Sequence, residues 1–224
     1  MPTIRDRNQQ LILDAASEAF AHHGYAAARM DDIAARAGLP RPNVFYYFRN
    51  KRLLYAAVLD LVMEPLLHAA NSLNAAIAPD QALPRYLQAN AEVARRHPHA
   101  ARIWLKELLH GARQLSPRRN EDLRVSARQS LACLSAWMDR GLIARTDPEH
   151  LLLFLWSTPL ALFRFGEAPG SASQLKPTRA SSQALADMLL RGLRPECERS
   201  KTAVSLYTKS NSDAASTRHT ATPT

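Results

Sequence analysis

An all-α fold is predicted for this chain by three observations. Its 224 residues include 38 Ala and 32 Leu, the strong helix formers, against only 6 Val and 6 Ile, the β-branched residues that favour sheets. Glycine, common in sheet turns, occurs 7 times, less than half its usual share of about 7%. Apolar residues recur with a helical rather than an alternating period. A hydrophobic fraction of 46% is enough to build a core and excludes general disorder. Cys133 and Cys197 are too few for a disulfide framework or a four-ligand zinc site. Residues 1–7 hold no apolar run, which excludes a signal peptide. The longest apolar stretch, 151–163, is interrupted by Ser157, Thr158 and Pro159 and is shorter than the roughly 20 residues that span a bilayer. A soluble, cytoplasmic protein with no membrane partner is expected.

The first helix is expected over 7–23, where Leu11, Ile12, Ala15, Ala16, Ala19 and Phe20 form one apolar stripe. Gly24 ends it, being able to adopt the left-handed conformation. A short helix follows over 30–37, Gly38 stops it, and Pro42 suits the first turn of a third helix running to Phe48. A long apolar helix covers 53–77, in which Pro65 predicts a kink or break near Met63 or Glu64. His97-Pro98 separates helices at 80–96 and 99–112, and another runs from Ser116-Pro117 to Arg140. Thr146-Asp147-Pro148-Glu149 reads as an N-cap, a proline at N1 and an acid in the first turn. The helix it opens, 148–165, is apolar nearly all round and therefore demands a partner surface. Residues 166–177 read as a loop and 178–193 as a last helix presenting Leu185, Met188, Leu189 and Leu193. From Glu196 onward 11 of 29 residues are Ser or Thr, the composition of a disordered tail. The expected division is 1–53, 54–195 and a tail at 196–224.

The functional signal lies in residues 30–51. Two short helices joined by a tight turn are the arrangement of a helix-turn-helix. Ala34 is small where the helices approach, Gly38 supplies the positive φ of the turn, and Ile33, Leu39 and Val44 are spaced to bury against the first helix. From Arg36 to Arg52 there are five cations and no acid. Arg41 and Asn43, near the start of the third helix, have the bidentate edges that match bases in the major groove. Phe45, Tyr46 and Tyr47 follow, and tyrosine hydroxyls, Lys51 and free backbone N–H groups suit phosphate oxygens. The alternative is a solvated basic turn in an ordinary helical bundle. The aromatics and the acid-free run weigh against it.

Residues 7–53 resemble the N-terminal domain of TetR-family transcriptional regulators. The resemblance rests on Phe20…Gly24-Tyr25, Ile33-Ala34…Ala37-Gly38-Leu39 and Val44-Phe45-Tyr46-Tyr47-Phe48-Arg49-Asn50-Lys51. It implies that Arg41, Pro42, Asn43, Phe45, Tyr46, Tyr47 and Lys51 contact double-stranded DNA. Three positions depart from the family pattern: Ala28 stands where Thr or Ser is usual, Pro40 where Ser is usual, and Arg52 where a carboxylate is frequent. Residues 54–194 more loosely resemble the C-terminal domain of family members that regulate pyrimidine utilisation. That resemblance rests on Tyr86…Glu92…His97-Pro98…Ala101-Arg102…Glu107…Gly111 and Asp147-Pro148-Glu149-His150-Leu151…Trp156. It implies a helical effector-binding domain, a homodimer built on the last two helices, and a small-molecule effector such as a nitrogenous metabolite.

Trp104, His110, Trp156 and Phe163 are candidates to line an effector cavity, with His110 or Arg164 as polar anchors. Glu107 with His110 and Asp147 with His150 have metal-ligand spacing, but a di-metal bundle needs further inward carboxylates, so no metal is assigned. No cofactor loop and no catalytic motif occurs. Two function classes remain: a homodimeric, ligand-responsive repressor of a palindromic operator, and a helical enzyme or non-specific basic binder. The net charge of +9 does not decide between them. Residues 1–60 have 8 cations and 6 acids, whereas 85–128 have 10 cations and 4 acids. Most of the excess lies outside the helix-turn-helix.

Overall fold

A computed structural model describes the backbone of residues 3–165 and 179–195, and the side chains of these except 158–165, 179 and 181. The expected loop at 166–177 and the tail from Glu196, with Cys197, lie outside the described residues, as do the side chains of Phe163 and Arg164. Among the described residues there are nine helices and no strand: α1 (Ile4–Ala27), α2 (Met30–Ala37), α3 (Arg41–Tyr47), α4 (Lys51–Ala70), α5 (Pro79–Arg96), α6 (Pro98–Leu109), α7 (Pro117–Asp139), α8 (Pro148–Phe165) and α9 (Arg179–Gly192).

Local chemistry sets most of the boundaries. Thr3 and Asp6 form a reciprocal capping box at the start of α1, and the backbone and hydroxyl of Thr3 hold the Asp6 carboxyl below its usual range. Gly24 interrupts α1 at φ 77°, ψ 169°, a conformation open essentially to glycine alone, and a last short turn follows to Ala27. Ser116 caps α7 by accepting from the Arg119 N–H. Asp147 opens α8 by accepting from the N–H groups of Glu149 and His150 at 2.8 and 3.1 Å, as the sequence predicts.

The long fourth helix differs from expectation at both ends and in the middle. Asn50 caps it, accepting from the Leu53 N–H at 2.9 Å, so it starts at Lys51 rather than Leu53. It stops at Ala70, because Asn71-Ser72 and Asn74 form turns, the latter accepting from the Ala76 N–H. The apolar spacing of Leu73 and Ile77 belongs to these turns. Pro65 sits inside α4 without ending it. The missing hydrogen bond is outweighed by burial of Leu54, Tyr55, Val58, Leu59, Val62 and Met63 along the same helix.

Two apolar cores share α4 and α5. The first joins α1, α2 and α3 to the front of α4, the end of α5, and α6. The second joins the end of α4 and the front of α5 to α7, α8 and α9, with Trp137 fully buried and its indole N–H donating to the Ile77 carbonyl at 3.0 Å. Phe48 and Leu54 lie in the same core, so packing is continuous across residues 53 and 54. Among the described residues α4 is the one helix long and apolar enough to cross a membrane, and its apolar side chains serve both cores.

Candidate nucleic-acid interface and ligand cavity

The turn between α2 and α3 is built by backbone hydrogen bonds around Gly38 in the left-handed conformation. Its N–H donates to the Ala35 carbonyl and the Leu39 N–H to Ala34, both at 3.1 Å. Ile33, Ala34 and Val44 are buried beneath the turn and Leu39 packs half-buried against them. Anchoring through Val44 leaves the other side of α3 outside: Arg41, Pro42, Asn43 and Tyr46 are exposed, Tyr46 by 75%, with Phe45 and Tyr47 half-buried. Tyr46 and Tyr47 stand edge to face at 5.4 Å, which fixes both rings.

The cations of this run have different partners. Arg41 forms an ion pair with Asp31 of α2 at 2.9 Å and lies 5.4 Å above the Phe45 ring. That pair is exposed, worth about 0–1 kcal/mol, and so is weaker than a bidentate contact to a base, at about 1–3 kcal/mol. Arg36 pairs with Glu18 of α1. Lys51 donates to the carbonyls of Ala26 and Ala28, both at 3.1 Å, and stands 4.8 Å over the Tyr25 ring. It thereby ties the start of α4 to the turn after Gly24, and two of its three ammonium donors are engaged. Among the described residues Arg49 and Arg52 form no ion pair, and both are exposed. Ala28, where a hydroxyl is usual in the resembled family, is buried, and α2 has no side-chain cap.

The central basic region is organised differently. Arg95 and Arg96 share Glu92, whose carboxyl their hydrogen bonds lower to about 2. Arg119 meets Asp60, Glu64 and Asp122 at 2.9, 2.5 and 3.6 Å, joining α7 to α4. Arg124 and Arg128 share Glu121. Half of the ten cations between residues 85 and 128 are therefore matched within the fold.

A narrow, mostly apolar cavity opens between α4, α5, α6, α7 and α8. Trp104 and Trp156 line it, as the sequence suggests, together with Met63, Leu66, Leu67 and Leu108. His110 does not: it is exposed beyond the end of α6, with its ring nitrogen 2.7 Å from the Lys106 carbonyl, because α6 stops at Leu109 instead of continuing to 112. Phe163 lies outside the described side chains. Three polar residues of the lining escape sequence reasoning: Tyr86, Asn90 and Ser126. The signal for Asn90 is its place in the stripe Leu83, Tyr86, Leu87, Asn90, Val93, Ala94, all buried. Behind the Trp104 wall, Glu107 is buried and accepts from the Tyr55 hydroxyl at 2.6 Å; burial and this carboxylate together push the phenol far above its ordinary pKa. Tyr55 in turn meets Tyr25 and Phe20 edge-on, so α6, α4 and α1 are locked together.

Comparison with known proteins follows the same division. Residues 12–58 match the family described as bacterial regulatory proteins, tetR family, and residues 59–196 match the YcdC-like protein, C-terminal region. The HTH-type transcriptional regulator RutR of Escherichia coli is 32% identical over 150 residues, 67% of this chain and 71% of that protein. The HTH-type transcriptional repressor NicS of Pseudomonas putida is 28% identical over 200 residues, 84% of this chain and 93% of its own length. The solved structure of the ketosteroid transcriptional regulator KstR2 of Mycobacterium tuberculosis superposes with a TM-score of 0.69 at 21% identity, covering 87% of this chain and 98% of that one. At that identity the superposition speaks for the fold alone.

Proposed function

This chain belongs to the TetR family of bacterial DNA-binding transcription regulators, and from that premise we propose that it is a homodimeric, ligand-responsive repressor of a palindromic operator. The observation that carries the proposal is α3, held by buried Val44 while Arg41, Asn43 and Tyr46 stand exposed on its outer side. Arg41 and Asn43 read base edges in the major groove. Pro42, Phe45, Tyr46, Tyr47 and the charge of Lys51 position the backbone. The residues up to about 53 form the reading head and the rest, to about 195, the effector and dimerisation body.

Dimerisation is supported by the outer faces of α8 and α9. Leu153 is 62% exposed, Phe154 40% and Met188 61%, a cost that burial against a second copy removes. The repressor sign is supported by the name of the Pseudomonas relative. The cavity is the effector site, and an effector that favours the DNA-incompetent state by about 1–3 kcal/mol is enough to release the operator. Footprinting of the full chain on randomised duplexes tests this reading. An inverted repeat with half-sites one helical turn apart is expected. Equal binding to all sequences rejects it in favour of non-specific basic binding.

A further inference from the structure

The walls of the cavity are mostly aromatic and aliphatic, and among the described residues no charged side chain lines it. An ionised ligand entering it gives up its hydration for no counter-charge, which is costly in a site of this polarity. The excess of cations on the chain is therefore no guide to the effector. Among the described residues of the wall, Asn90 holds a fully buried polar atom without a partner. Asn90 is 2% exposed, and its side-chain carbonyl oxygen, Oδ1, makes no hydrogen bond. Tyr86 lies beside it in the wall, its phenol pushed up to about 12 by burial. Ser126, also buried in the lining, adds a hydroxyl that both donates and accepts. A buried amide carbonyl left without a donor is destabilising, and native proteins seldom keep one without use.

We infer that this cavity takes an uncharged, compact ring compound carrying an N–H or O–H donor, which Asn90 Oδ1 accepts while Trp104 and Trp156 flank the ring. The inference rests on the proposal that the cavity is the effector site, and it adds the chemistry of the ligand. Asn90 supplies selectivity by being unsatisfied. A ligand of the same shape without the donor leaves the carbonyl buried and unpaired, which separates the two by about tenfold in affinity.

Calorimetric titration of the full chain with three probes tests this: indole, its isostere benzofuran, in which an oxygen acceptor replaces the N–H, and benzoate. Indole is expected to bind about tenfold more tightly than benzofuran, and benzoate least of all. In Asn90→Leu, which replaces the amide by an alkyl group of similar volume, the preference for indole over benzofuran is expected to vanish. The inference is overturned by equal binding of indole and benzofuran, by benzoate binding best, by binding of none of the three, or by a preference that survives in Asn90→Leu. If that variant does not fold, the ranking on the unmodified chain decides alone. A chain that ranks the probes as expected yet finds no inverted repeat loses the regulatory reading and keeps this one. The converse pair of results does the opposite.

Discussion

Two basic regions of this molecule look alike in the sequence and differ in the fold. In residues 36–52, five cations occur with no acid among them; among the described residues Arg49 and Arg52 form no ion pair, while Arg36 and Arg41 hold exposed ones. In residues 85–128, ten cations occur with four acids, and carboxylates from that segment and from α4 match five of them. The second region carries the larger net charge, yet in the first Arg41, Arg49 and Arg52 are exposed on or directly after α3. Placement beside α3, not surplus, marks the candidate surface.

That contrast can be tested by substitution. The largest effect is expected at Arg41. Arg41→Ala should weaken operator binding by about 1–3 kcal/mol and relax base preference at one position of each half-site, read by fluorescence anisotropy on single-base variants. Its melting temperature should barely change, since the Asp31 pair is exposed. A uniform loss over all sequences would move Arg41 from base reading to backbone holding.

A double variant of Arg49 and Arg52 to Ala should act more weakly and without sequence preference. Each phosphate contact adds about 0.9 to the slope of log affinity against log salt, so the slope should flatten by about 2. Substituting Arg124 and Arg128, which Glu121 already satisfies, should leave the slope as it was. Equal slopes for the two double variants would erase the distinction between the regions.

The smallest effect concerns acid. Glu92 is held at about 2, against an ordinary value of 4.5, by Arg95 and Arg96. A carboxyl with a depressed folded-state pKa contributes its stability above the unfolded value and loses it as pH falls through the folded one. Glu92→Gln should therefore remove a shallow part of the stability loss between about pH 4.5 and 2 in urea titrations, with operator binding at neutral pH intact. An acid limb unchanged in Glu92→Gln counts against that pairing.

What the sequence made legible was local. Gly38, Pro42, Ser116 and Asp147 announce helix ends because their signals act within three or four residues. Apolar spacing that continues through Leu73 and Ile77 predicts a longer α4 than forms, because the turn chemistry of Asn71, Ser72 and Asn74 prevails. The partners of Arg119 were hidden because Asp60 and Glu64 lie more than fifty residues away in the chain. His110 was attractive beside Glu107, but a glycine-containing turn carries it outside the cavity, where it is exposed. Asn90 was legible in principle, since a polar residue inside an apolar stripe is conspicuous once the stripe is drawn.

Pro65 gives α4 a mechanical character. From Lys51 at the head to Leu67 at the cavity the helix makes sixteen residue-to-residue rises, a rod about 24 Å long. A tilt of about 5° at one end displaces the other by about 2 Å at that length. Proline offers no N–H to the Leu61 carbonyl, so the rod has its most compliant joint beside Met63, Leu66 and Leu67, which form the cavity wall. The stiff portion runs from there to Lys51. Should the cavity serve as the effector site proposed above, a bend at this joint would turn the segment from Lys51 to Leu61, and the head with it.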